Sequence, residues 1–170
     1  LLEQDTGAAL FVIISGKVKI VRTSDDGREV ILAILGESEF FGEMSLLDGM
    51  ARSASVVAMS KVELFTIHRQ DFLRLLKTVP SVTLALLMEM TMRLRRADAQ
   101  IKSLSLRDST GRVANVILQL ADSIGVMKKG RVEIAELPVQ QDIANMAGTS
   151  RETISRVVHQ LLKQGQVELR

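Results

Sequence analysis

The sequence predicts an α+β chain: an N-terminal antiparallel β-roll, one long helix, and a C-terminal portion built on two short helices joined by a tight turn. Three observations carry that expectation. Short apolar runs broken by Gly and Asp fill the stretch up to about residue 67, the apolar period changes after Pro80, and Ala147-Gly148-Thr149 separates two amphipathic segments near the end. The 170 residues are 46% hydrophobic and 25% charged, a globular composition. No run of eighteen apolar residues and no basic-then-apolar leader occurs, so a membrane span and a secretory signal are not expected, and a cytoplasmic location is. The absence of Cys excludes disulfides, cysteine-ligated clusters and a cysteine nucleophile within these residues.

Residues 10–14, 18–21, 30–35, 55–58 and 62–67 read as strands. Ser15-Gly16-Lys17 and residues 24–28 are turn chemistry, so consecutive strands are expected to fold back on each other in a jelly-roll-like roll. Strand-like sequence begins almost at once and without an initiator Met, which suggests a missing N-terminal stretch.

After Pro80, residues Thr83, Leu87, Met90, Leu94, Ala97, Ile101 and Leu104 recur at spacings of four and three, the seam of a coiled coil. A helix of roughly 25 residues spans about 37 Å, longer than a small roll needs for its own cover. A partner helix is therefore expected, with Leu87, Met90, Leu94, Ala97, Ile101 and Leu104 at the dimer interface. The alternative is a helix packed only on its own roll, with Leu84, Leu86 and Met88 widening the apolar face. Residues 106–111 interrupt the helix and form a hinge; Asp108 or Ser109 caps the next helix, 113–124. The expected domains are 1–80, 81–108 and 109–170.

Residues 107–170 carry nine Lys or Arg against seven Asp or Glu, while residues 1–106 carry thirteen of each, so the net charge of +2 lies C-terminal. There, residues 139–146 form one short helix, 147–149 a turn, and 150–164 a second helix: helix-turn-helix spacing. Ala144 is small where the helices cross, Gly148 takes a positive φ, Ile154 with Val157 or Val158 plugs the angle, and Thr149 to Glu152 has the spacing of a capping box. Ile154, Val158, Leu161 and Leu162 share one face of the second helix, leaving Arg151, Glu152, Ser155, Arg156 and His159 on the other. That polar face suits a DNA major groove: Arg156 can donate twice to guanine, Glu152 can accept from a cytosine or adenine amino group, and Ser150 and Arg151 can hold phosphate or a further base. A solvated face with an intrahelical Glu152–Arg156 pair is the alternative. Residues 128–134 and 164–169 read as short strands and wing turns.

Between strands, residues 40–54 pack Gly42, Glu43, Arg52 and Ser53 into one segment suited to a phosphorylated sugar. Backbone N–H groups near Gly42 and the Arg52 guanidinium face phosphate, Glu43 accepts a ribose hydroxyl, and Ser53 adds a donor. A surface Glu–Arg salt bridge is the alternative.

Gly42-Glu43-Met44-Ser45-Leu46 together with Arg52-Ser53-Ala54 resembles the phosphate-binding cassette of cyclic-nucleotide-binding domains. Joined to the long helix, to Asp108-Ser109-Thr110-Gly111-Arg112-Val113-Ala114 and to residues 149–156, it resembles the CRP/FNR family of bacterial transcription regulators over nearly the whole chain. The resemblance implies a homodimeric, winged helix-turn-helix regulator of palindromic double-stranded DNA, with RNA polymerase as a further partner. It assigns Gly42, Glu43, Arg52 and Ser53 to the ribose-phosphate of a cyclic nucleotide effector, and Arg151, Glu152 and Arg156 to the groove, with a TGA core in each half-site. The sequence departs from the pattern twice. Ala97 and Asp98 stand where one branch presents Thr and Ser to adenine, and Asp98, an acceptor when ionised, suits guanine N1–H and N2–H or adenine N6–H. Val139 stands where a Thr often caps. A haem, redox or gas sensor on the same DNA-binding frame, with His68 as the one sensory His, and a regulatory subunit are the competing readings. Two His, no Tyr and no metal cluster leave no catalytic constellation, so an enzyme is not expected.

Overall fold

The computed structural model describes residues 1–170 apart from Gln4, Thr6, Asp26, Arg28, Glu136, Leu169 and Arg170, and of Leu106 only the backbone. The chain folds as two compact units, Leu1–Leu94 and Arg95–Arg170. Two three-stranded antiparallel sheets build the first. One is ordered β4 (Phe40–Phe41), β1 (Ala9–Ser15), β6 (Glu63–His68); the other β3 (Glu29–Leu35), β2 (Val18–Thr23), β5 (Ser55–Ala58). The predicted hairpin at Ser15-Gly16-Lys17 is thus a crossing between sheets, since β1 pairs with β4 and β6 and β2 pairs with β3 and β5. Gly16 makes that crossing at φ 90°, with the Lys61 carbonyl packed where a side chain would start. The 24–28 turn does join a hairpin, β2 to β3, its Asp26 and Arg28 lying outside the described residues.

Alternation along the strands sends Ile13, Val18, Leu35 and Phe41 into one cluster between the sheets. Leu10 of β1 forms a second with Leu46 of α1 (Glu43–Asp48) and Phe72 of α2 (Arg69–Thr78), against which Leu86 of α3 (Pro80–Leu106) packs. α2 is not among the elements expected from the sequence, because the β6 run leads straight into it. Thr83 belongs to this inward side of α3: its hydroxyl donates to the Leu76 carbonyl at 2.6 Å, which takes it out of the predicted seam.

The second unit holds the end of α3 and α4 (Ser109–Ile124), the hairpin β7 (Val126–Lys128) and β8 (Arg131–Glu133), α5 (Gln140–Ala147) and α6 (Arg151–Lys163). Asp108 is the α4 cap, its carboxylate accepting from Gly111 N–H at 2.7 Å. Val113, Val116 and Leu120 of α4 are buried, as are Ile143, Ala144 and Ala147 of α5 and Ile154 and Val157 of α6. The wing turn runs through Lys129 and Gly130, both at positive φ, and Arg131 grips the Glu168 carboxylate through both oxygens at 2.7 and 2.8 Å. Residues 164–166 form a turn as expected, residues 167 and 168 are not in a strand, and Leu169, the end of that predicted strand, lies outside the described residues. No single helix among the described residues is long and apolar enough to cross a membrane.

Candidate functional site

In the first unit Gly42, Glu43 and Arg52 converge. Gly42 sits at φ 89° ahead of α1, where a Cβ would strike Arg52 Nη1, so only glycine lets the guanidinium lie there. Arg52 is 7% exposed and donates from Nη1 to the Gly42 carbonyl and from Nη2 to the Ala9 carbonyl, both at 2.8 Å. Its Nε is buried with no hydrogen-bond partner, one free donor in a group that burial pushes below its ordinary pKa and that the charges of Glu43 and Asp5 push back. Ser53 is exposed beside it, and its hydroxyl points at the Met44 sulfur, 3.6 Å away.

Glu43, 4% exposed, pairs at Oε1 with Arg93 Nη1 at 3.0 Å, while its Oε2 has no hydrogen-bond partner among the described residues. Arg93 was not expected here. It reaches out of α3, bonds the Phe40 carbonyl at 2.7 Å and Glu89 at 3.0 Å, and lies 4.5 Å over the Phe40 ring. Nothing local marks it, since it opens a run with Arg95 and Arg96, fifty residues from its carboxylate. The surface salt bridge weighed for Glu43 and Arg52 is not what forms: both are buried, and Arg93 is the partner of Glu43.

Ala97 and Asp98 are exposed on the second-unit part of α3. Along the helix Leu84, Leu87, Met88, Leu94, Ile101 and Leu104 are also exposed, and Met90 is half-buried.

In the second unit α5 ends at Gly148, φ 58°, and α6 begins after Ser150. The cap is Ser150, which accepts from Thr153 N–H at 3.3 Å; the capping box predicted from Thr149 to Glu152 does not form, because the cap lies one residue later and Thr153, not a Glu or Gln, stands three residues after it. Val139 opens α5 without a side-chain cap bond, as its residue type implies. Arg151, Glu152, Ser155 and Arg156 are all exposed, opposite the buried Ile154 and Val157. Among the described residues no ion pair joins Glu152 to Arg156. The Glu152 carboxyl is held below the usual range by its own backbone N–H and the Ser150 hydroxyl, so it stays an ionised acceptor.

A second unforeseen arginine holds this pair of helices. Arg112 of α4 donates from Nε to the Ala147 carbonyl at 2.9 Å, from Nη2 to Gly148 at 3.3 Å and from Nη1 to Arg107 at 3.1 Å. It thereby satisfies carbonyls that the end of α5 leaves without helical partners.

Residues 1–79 match the cyclic nucleotide-binding domain family and residues 111–170 the Crp-like helix-turn-helix domain family. The chain is 42% identical over 165 residues to the cyclic AMP receptor protein of Thermus thermophilus, covering 97% of this chain and 73% of that protein. It is 35% identical over 167 residues to the CRP-like cAMP-activated global transcriptional regulator of Mycobacterium tuberculosis, covering 98% and 75%. Among solved structures, the c-di-GMP responsive global regulator CLP of Xanthomonas campestris superposes with a TM-score of 0.78 at 25% identity, over 100% of this chain and 84% of that one. The two family matches lie in the order of the two folded units and the curated relatives match nearly the whole chain, so the chain belongs to the CRP/FNR family of transcription regulators.

Proposed function

We propose that the chain is a homodimeric, sequence-specific DNA-binding regulator that takes a cyclic nucleotide as effector. The polar face of α6 carries the DNA part of the reading: Arg156 makes no bond to the rest of the chain among the described residues, and the opposite face is anchored by Ile154 and Val157. Arg156 donates twice to guanine O6 and N7, and Glu152 accepts from an adenine or cytosine amino group. Ser150, Arg151 and Ser155 contact phosphate or flanking bases, and RNA polymerase in the cytoplasm is the onward partner. Two copies read a palindrome with TGA-containing half-sites about 34 Å apart. Arg156→Ala is expected to cost about 1–3 kcal/mol on the cognate duplex and to relax preference at one base pair in a binding-site selection. An equal loss on every sequence would contradict base readout.

For the effector, the unpartnered Arg52 Nε and the exposed Ser53 hydroxyl suit phosphate oxygens, and Glu43 Oε2 suits a ribose hydroxyl. A bound cyclic nucleotide supplies no chemistry here beyond its binding energy. Ala97 and Asp98, four and five residues beyond Arg93 on the same helix, read the base. In calorimetric titrations with cyclic AMP, cyclic GMP and cyclic di-GMP, Arg52→Ala is expected to weaken the tightest by about 10- to 100-fold, the scale of hydrogen bonds to a charged group. Undiminished binding by that variant removes the phosphate role.

A further inference from the structure

Met44 lies in the middle of the cassette, half exposed, and its sulfur is the only group the Ser53 hydroxyl bonds among the described residues. A thioether is a weak acceptor, so that proton is readily given up to a stronger one. Met50, Met88 and Met127 are more exposed, yet none of their sulfurs receives a cassette hydroxyl. We infer that Met44 is a peroxide-sensitive modification site whose sulfoxide oxygen captures the Ser53 hydroxyl and lowers the affinity of the cassette for a phosphate-bearing ligand. The consequence for ligand affinity rests on the cyclic nucleotide reading above; the capture itself does not.

Hydrogen peroxide is the oxidant. The Met44 sulfur attacks one peroxide oxygen, the O–O bond breaks and an S–O bond forms; sulfur gives up two electrons, and the proton on the attacked oxygen passes to the departing hydroxide, which leaves as water. The product is a polar side chain carrying a strong acceptor where a weak one stood, and methionine sulfoxide reductases reverse it. The Ser53 donor then stays within the protein.

The test uses the full chain with 13C-methyl-labelled methionine, oxidised by hydrogen peroxide until peptide mass spectrometry shows Met44 converted. Without ligand, the methyl resonance of oxidised Met44 is expected to move on Ser53→Ala while that of oxidised Met50 stays in place; an unmoved Met44 resonance overturns the capture. With whichever of cyclic AMP, cyclic GMP or cyclic di-GMP binds, oxidation is expected to weaken affinity about fivefold, the scale of one hydrogen bond. The reductases should restore it, and Met44→Leu should show no change between treated and untreated protein. Equal affinity before and after oxidation, or an equal loss in Met44→Leu, overturns the effect on binding. If the untreated protein binds none of the three, the effector reading falls and the consequence for affinity with it, while the resonance test still decides the capture.

Discussion

Leu94→Asp is expected to yield a folded chain that sediments as a monomer and binds a palindromic operator at least about 100-fold more weakly. Leu87 and Leu94, one heptad apart on α3, are 59% and 64% exposed, and Leu84, Met88, Ile101 and Leu104 continue the exposed apolar surface along the helix. Thr83 and Leu86, by contrast, turn toward the roll. An interface of two identical helices presents every seam residue twice, so one carboxylate per chain becomes two desolvated charges at the symmetry axis. Because Leu94 is exposed in the single chain, the substitution leaves each copy's own core intact. The loss on DNA follows from avidity: two linked reading heads bind 10²- to 10⁴-fold tighter than one, and a monomer forfeits that factor. Sedimentation equilibrium and titration of palindromic against half-site duplexes check it. Half-site affinity should stay at the wild-type value, since α6 is untouched. A variant that remains dimeric places the twofold contact elsewhere than α3.

The parts legible in the sequence are those specified by neighbours along the chain. The Asp108 cap needs only Gly111 three residues on, the positive φ at Gly148 needs only its residue type, and the polar face of α6 follows from helical period. The existence of β1, β2, β3, β5 and β6 was legible for the same reason, while the two-residue β4 lay in a stretch read as lying between strands, and strand partnership was not legible. Ser15-Gly16-Lys17 has the composition of a hairpin turn and turns between sheets, because the long-range pairings of β1 with β6 and of β2 with β5 decide which sheet each strand joins. Within residues 40–54, residue type alone singles out Gly42, Glu43, Arg52 and Ser53. Their bonds were not legible, because residue type carries no information about what the rest of the fold brings alongside. Arg52 spends two donors on the Gly42 and Ala9 carbonyls, and Glu43 is met by an arginine from a different element. Arg112 was equally silent, since a long cation next to a helix start looks solvated until the end of α5 is packed against it.

Arg93→Met is expected to destabilise the first unit by about 3 kcal/mol, and Glu43→Gln added to it should return most of that loss. Removing one member of a buried ion pair leaves an uncompensated charge and costs about 3–5 kcal/mol, whereas neutralising both can be close to neutral. The burial is unequal, with Glu43 at 4% exposure and the Arg93 side chain at 25%, so the carboxylate suffers more from losing its partner. Arg52 remains nearby as an opposite charge, which keeps the expected cost at the low end of that range. The Phe40 carbonyl loses its donor as well, and the Phe40 ring loses a stacked guanidinium worth about 0.5–1 kcal/mol. The chain has no Trp and no Tyr, so urea unfolding is followed by circular dichroism, with Arg93→Met, Glu43→Gln and the double variant completing a cycle. A coupling energy near zero would mean that Glu43 is already balanced by Arg52 and that Arg93 only covers Phe40. A large one means that the helix carrying the exposed leucines is fastened to the carboxylate proposed to receive the ribose. Arg93 bonds Oε1 and leaves Oε2 to accept, so a ligand hydroxyl can share Glu43 without displacing the arginine. Nucleotide affinity should then fall together with stability in Arg93→Met, because a carboxylate without its cation is no longer held in place to accept that hydroxyl.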